Sequence, residues 1–336
     1  MSADHNAEHG TKAVVAALSA NIGIAITKFM AYALTGSSSM LSEAIHSVVD
    51  SANQVLLLIG GKRARRDATP EHPFGYARDR YYYAFIVAIV LFSLGGLFAL
   101  YEAWHKFQDP HPIDSWRWVP IVVLLIAIVL ESFSLRTAIS ESNKVRRGLS
   151  WRRFVQRSKA PELPVILLED LGALLGLVFA LFGVSMTLIT GDGRWDALGA
   201  GMIGLLLCVI AIVLGRETKS LLMGESASEE DIAAIRGALA ANGFTDVIHL
   251  RTLHLGPDDI LVTAKVGAPS TLKLGELAKQ IDQAESAIRG AVPDVRLIFL
   301  EPDVRRVEDK GQPTSGAAVK KQPTSRAKSK SAEDKL

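Results

Sequence analysis

Residues 42–54, SEAIHSVVDSANQ, set a glutamate, a histidine and an aspartate inside a stretch that otherwise reads as an apolar helix. What surrounds them decides the fold. Apolar residues make up 49% of the 336-residue chain and are bunched into long blocks, which is the composition of a membrane protein. A window of about 20 residues, the length a helix needs to cross hydrocarbon, finds candidate spans near 12–34, 39–60, 81–105, 117–140, 163–189 and 196–215. The second and fifth are the least apolar and carry carboxylates. The short LTGSSS connection makes the first two antiparallel neighbours, whereas the next connection, GKRARRDATPEHPFGYARDR, is long and basic.

Lys and Arg set the orientation. The segment 61–80 carries Lys62, Arg63, Arg65, Arg66, Arg78 and Arg80, and 143–160 carries Lys144, Arg146, Arg147, Arg152, Arg153, Arg157 and Lys159. The opposite side carries only Lys106, Arg117 and Arg194, so the basic loops and both termini are expected in the cytoplasm. Trp104, Trp116, Trp118, Trp195 and Tyr81-Tyr82-Tyr83 fit interfacial belts. The polar start, MSADHNAEHGTK, has neither a secretory nor a transit layout, which points to a bacterial inner membrane. A net charge of +2 gives no footprint for nucleic acid, and the single Cys208 builds neither a disulfide framework nor a thiolate zinc site.

Past residue 225 the pattern changes. EEDIAAIRGALAAN reads as an amphipathic helix capped by Ser228, VIHLRTLHLG and DILVTAKVG as strands around a Gly-Pro-Asp turn, LGELAKQIDQAESAIRGAV as a helix and VRLIFLEP as a last strand. The expected organisation is a tail over 1–11, a six-helix transmembrane domain over 12–220, a cytosolic α+β domain over 225–306 that pairs with a copy of itself, and a disordered Lys-rich tail over 307–336.

The opening residues now have a context. His46 and Asp50 are four apart, on one helical face; Asp170 adds a carboxylate from the fifth span and Glu131 one from the fourth. Glu43, Glu162, Lys28 and Arg136 are read as groups that snorkel to water or headgroups. A His–Asp hydrogen bond would explain the pair in a soluble helix. In a bilayer each central charge costs about 2.5–3.5 kcal/mol by the mildest scale, and several in separate spans exceed what a structural role offsets. A divalent cation bound by one imidazole and carboxylates from facing helices does offset it, and the same ligands take protons when the metal leaves.

Taken together, SSSMLSEAIHSVVDSANQ, HPFGYARDR, LLEDLGALLG, DALGAGMIGLLL, LLMGE and HLRTLHLGPDD resemble the cation diffusion facilitator family over about residues 12–305. The resemblance implies a six-helix divalent-metal exporter with a cytosolic ferredoxin-like domain, working as a homodimer with alternating access and inward proton flow. It places the second-helix HxxxD on His46 and Asp50 and the fifth-helix aspartate on Asp170. Typical members repeat HxxxD in the fifth helix, where this chain has Ile166. It resembles instead a branch whose second helix reads SEAIHSxxDxxNQ, whose fifth reads LLED and whose fourth carries a glutamate like Glu131. Fewer imidazoles and more acids make the site harder, which weakens strict zinc selectivity and raises Mn²⁺ and Fe²⁺, with Zn²⁺ still the expected substrate.

Glu131 is the expected fourth ligand or proton carrier. Glu169, adjacent to Asp170 and about 100° round the helix, is a weaker candidate, and Asn53 and Gln54 are read as contacts between helices. Asp67, Glu71 and His72 have the chemistry of a secondary entry site, against a plain solvated loop. His249 and His254 lie in the soluble domain, but Phe299 and Glu301 stand where metal-binding relatives have histidine and aspartate. His5 and His9 are too few for a metal-binding tract. The function expected is metal–proton exchange without a resident cofactor, the alternative being a membrane metal-binding scaffold that has lost transport. No nucleotide loop or nucleophile elbow supports an enzyme.

Overall fold

The computed structural model describes residues 21–113, 116–146 and 148–304. The expected N-terminal tail with His5 and His9, the opening of the first span and the Lys-rich tail lie outside the described residues. Helix α1 runs through residues 21–35, and α2 covers Ser38–Ala64. The reversal between them needs only Gly36, at a left-handed φ of 64°, and Ser37, whose Oγ caps α2 by accepting the Met40 N–H at 3.2 Å.

One long span follows, built from α3 (Asp79–Val90), a π-helical segment Leu91–Leu97 and α4 (Phe98–Gln108). Then come α5 (Val119–Val145), the short α6 (Trp151–Arg157), α7 (Glu162–Thr190) and α8 (Arg194–Met223). By length and composition, Asp79–Gln108, Val119–Val145, Glu162–Thr190 and Arg194–Met223 can each cross a membrane. With α1 and the more polar α2, the described residues form the expected six-helix bundle. Several helices outrun their expected ends; α8 reaches Met223 because a helix continues past the hydrocarbon that hydropathy detects.

Small residues let α4 and α8 approach. A Cβ on Gly204 would lie 2.8 Å from the Leu100 backbone nitrogen, so only glycine fits that crossing. Gly204→Leu is therefore expected to destabilise the bundle by about 1–3 kcal/mol through overpacking, read as a lower midpoint in thermal unfolding of the solubilised protein; an unchanged midpoint would contradict the crossing.

The soluble domain has the expected order: α9 (Glu229–Ala241), β1 (Val247–Gly256), β2 (Asp259–Gly267), α10 (Leu274–Ala291) and β3 (Val295–Asp303). The sheet runs β1-β2-β3, with β1 antiparallel to β2 across the tight turn and β3 parallel to β2 after the α10 crossover. Strand β2 alternates strictly, burying Ile260, Val262, Ala264 and Val266 against Ile235 and Leu239 of α9 and Ala284 and Ile288 of α10. Ser228 caps α9 as read from sequence, its Oγ accepting the Asp231 N–H at 3.1 Å.

Two ion-paired clusters join the domains. Arg80 at the start of α3 pairs with Glu162 of α7 at 2.5 Å and with Asp258 in the β1–β2 turn at 3.3 Å. Glu162 thus has a protein partner rather than a headgroup. Lys159 pairs with Glu225, the carbonyl of which accepts the His254 N–H at 2.8 Å. Burial alone would raise the Glu225 carboxyl; hydrogen bonds from Lys159 and Ser220 outweigh it and hold the group below its ordinary value.

Candidate functional site

Four helices enclose a cavity of about 20 Å³ in the bundle, room for a water-sized object. Helix α1 contributes Asn21 and Ile24; α2 contributes Ser47, Asp50 and Gln54; α5 contributes Glu131 and Ser134; α7 contributes Ile166, Glu169 and Asp170. Apart from the adjacent Glu169 and Asp170, the spacings of three, four and seven within the sets are those of one helical face, so each helix turns one stripe inward. Carboxylates from three helices meet there, and none of the lining residues is basic.

Neutral donors steady two of the acids. Ser134 Oγ donates to Asp170 Oδ2 at 2.8 Å, tying α5 to α7. Asn53 Nδ2 donates to Glu169 Oε1 at 2.6 Å, tying α2 to α7 and placing Asn53 between helices as read from sequence. Gln54 instead faces the cavity. Glu169 reaches the same cavity as Asp170 although the two are adjacent and about 100° apart round α7.

His46 lies one turn above Asp50 and is 1% exposed. Its Nδ1 is 3.2 Å from Asp50 Oδ1, yet neither ring nitrogen makes an aligned hydrogen bond, and Asp50 Oδ1 is likewise unpartnered. Buried polar atoms without partners are costly, and Asp50 lines the cavity while His46 is not among its lining residues. Among the described residues no three His, Cys, Asp or Glu side chains converge as a ready coordination shell. The acids line the cavity without converging on one point.

The structure corrects one expectation beside the site. Lys28 and Glu43 do not snorkel: they are 1% and 0% exposed, with Nζ 3.0 Å from Glu43 Oε2 and 2.8 Å from Ser47 Oγ. Because Ser47 lines the cavity, this buried pair fixes α1 against the wall that carries Asp50. Gly176 of α7 leaves the room, since a Cβ there would lie 2.5 Å from Glu43 Oε1. Arg136, by contrast, is exposed on α5. A second buried acid, Asp196, escaped the sequence reading altogether. It accepts from Ser37 Oγ at 2.8 Å and from the Ser38 N–H at 2.6 Å, anchoring the start of α2 to α8. No local signal could have found it, because those partners lie about 160 positions away in sequence.

The remaining candidates are peripheral. Asp67 and His72 are exposed in the α2–α3 loop, where His72 packs edge-on to Tyr76 at 4.6 Å and exchanges backbone hydrogen bonds with Thr69. Glu71 and His72 border a groove shared with Leu253 and Leu261 of the soluble domain. His249 is exposed on β1 opposite Lys265. His254 is buried, with Nδ1 3.2 Å from the Gly256 carbonyl oxygen, and burial pushes its imidazole below the ordinary value, the signature of a structural histidine.

The chain resembles known proteins over most of its length. The profile of the family described as Cation efflux transmembrane domain matches residues 14–223. The chain is 32% identical over 258 residues to the proton-coupled zinc antiporter SLC30A9, mitochondrial, of Homo sapiens, covering 76% of this chain and 45% of that protein. The Xenopus laevis protein of the same name matches at 32%, covering 76% of this chain and 46% of that one. The zinc transporter ZitB of Yersinia pestis is 27% identical over 222 residues, 66% of this chain and 65% of that protein. The chain spans about half the length of the antiporters it matches. A profile spanning the whole described helical bundle, and relatives alike across three-quarters of the chain, make it a member of the cation diffusion facilitator, or cation efflux, family of membrane transporters.

Proposed function

We propose that this chain is a secondary transporter that exports a divalent cation, zinc first and manganese or iron next, in exchange for protons. The observation that carries the reading is the cavity: Asp50, Glu131, Glu169 and Asp170 surround it within a membrane-spanning bundle, and no lining residue is basic. Four acids sharing a low-dielectric space are tolerated only with cations or protons among them. Metal binding requires the deprotonated forms, so loading the ion releases protons and its departure takes them up, which is the coupling an exchanger needs.

In this proposal His46, Asp50 and Asp170 hold the ion, with Glu131 as fourth ligand or proton carrier and Glu169 in reserve. The names of the relatives, a proton-coupled zinc antiporter and a zinc transporter, support zinc and proton exchange. The functional division is a transport unit over 12–220 and a soluble unit over 225–306 through which two copies pair. The membrane is a bacterial inner membrane with cytoplasmic termini, the orientation being supported by the Lys and Arg asymmetry of the loops.

The test is metal flux into proteoliposomes of the purified full chain under an imposed pH gradient, with Zn²⁺, Mn²⁺ and Fe²⁺. Flux that needs the gradient, and that falls to the level of protein-free vesicles in Asp50→Ala and in Asp170→Ala, is the expected result. Metal binding by a folded protein that never moves the ion would sink the transporter reading and favour a scaffold, in keeping with Ile166 in the cavity wall.

A further inference from the structure

A second cavity, of about 540 Å³, opens between α5, α6, α7 and α8 at the end of the bundle that leads into the soluble domain. Its volume falls in the range of about 300–1,000 Å³ typical of ligand pockets. The walls are apolar: Leu135 and Ile139 of α5, Leu168 and Leu171 of α7, and Val213 of α8. Several of these are exposed, Ile139 at 36%, Leu171 at 39% and Val213 at 38%.

The rim is charged. Arg152 of α6 and Arg216 of α8, both exposed, line the pocket with one acid, Glu217. Helix α6 itself is interfacial in character: it buries Phe154 and exposes Arg152, Arg153 and Arg157. Arg146 adds a further cation, its guanidinium 4.3 Å from the centre of the Trp151 ring, which also borders the pocket.

We infer that this pocket binds an anionic phospholipid, acyl chain against the leucines and headgroup phosphate between Arg152 and Arg216. A basic rim above an apolar slot between transmembrane helices is the chemistry that recognises anionic headgroups. Charge complementarity decides against the other occupants. The chain's own C-terminal segment, 307–336, is rich in lysine, and a second copy would bring the same basic rim. The site does not depend on the transport reading, because binding is measured without flux. Its place matters nonetheless: Leu168 and Leu171 flank Glu169 and Asp170 on α7, so a bound lipid leans on the turn that carries the cavity acids.

Trp151 supplies the probe. In full-length protein carrying Trp104→Phe, Trp116→Phe, Trp118→Phe and Trp195→Phe, reconstituted in phosphatidylcholine vesicles, its fluorescence is titrated with brominated phosphatidylglycerol and, separately, brominated phosphatidylcholine. Of the residues that line the pocket, two arginines against one glutamate leave one net cationic charge, Arg146 lying outside that lining over the Trp151 ring, so the anionic lipid should half-quench at an about fivefold lower mole fraction. Arg216→Gln should bring the two lipids close to parity and Arg152→Gln should do the same; both positions are exposed, and either variant alone suffices if the other fails to fold. Equal quenching by the two lipids in the parent overturns the proposal, as does a preference that both arginine variants keep. A preference abolished by inorganic phosphate would reduce the pocket to an anion site and overturn the acyl component. A signal that follows the protein-to-lipid ratio would assign the pocket to a second copy and overturn it too.

Discussion

Replacing Lys28 by methionine is expected to cost the folded bundle about 3–5 kcal/mol, the range for removing one partner of a buried ion pair. Glu43 is fully buried, and one of its carboxylate oxygens already lacks a hydrogen-bond partner. Take away the ammonium 3.0 Å from the other oxygen and the remaining charge is left buried without its ion-pair partner. The penalty belongs to the orphaned charge, not to a lost methylene stem, so Lys28→Met with Glu43→Gln should recover most of the loss. Thermal or denaturant unfolding of the solubilised protein measures both variants. The account fails if the single variant is as stable as the parent, or if the double variant is no better than the single.

The second large effect concerns which metal the cavity prefers. Ile166→His places an imidazole in the cavity wall four residues before Asp170, on the same face of α7. A second nitrogen donor softens a site otherwise built of carboxylates and completes the N/O set that tetrahedral zinc favours. The expected result is a shift of preference toward Zn²⁺ over Mn²⁺ of about 10–100-fold, the size of effect that even partners outside the metal's own ligands exert. Competitive binding of the two metals to purified protein measures it. A folded variant with unchanged preference would mean that position 166 does not reach the ion, and would remove α7 upstream of Asp170 from the site.

Much of this arrangement is legible without coordinates, and the reasons are local. Apolar blocks of about 20 residues reveal the spans because hydrocarbon thickness is fixed. The alternation of Asp259–Gly267 reveals β2 because strand faces repeat every second residue. His46 and Asp50 are visible because polar groups in such blocks are costly. Pairing across the bundle is not visible. Lys28 and Glu43 look like snorkelling groups until α1 and α2 are brought together, and Asp196 looks like an ordinary start to the sixth span until its carboxylate meets the Ser37–Ser39 turn. Asn53 reads from sequence as a contact between helices, but only the packing shows that Glu169 is the group it holds.

The sequence by itself determined the membrane class, the number and order of spans, the soluble α+β domain and the candidate acids, because each follows from periodicity, length or the cost of burying charge. Only the tertiary structure decided that Asp50, Glu131, Glu169 and Asp170 share one small cavity, that Lys28 neutralises Glu43 beside it, and that a basic-rimmed apolar slot opens behind α7. Those facts depend on which helix faces meet. Helix faces are chosen by the summed packing of the whole bundle, so no single stretch of sequence encodes them.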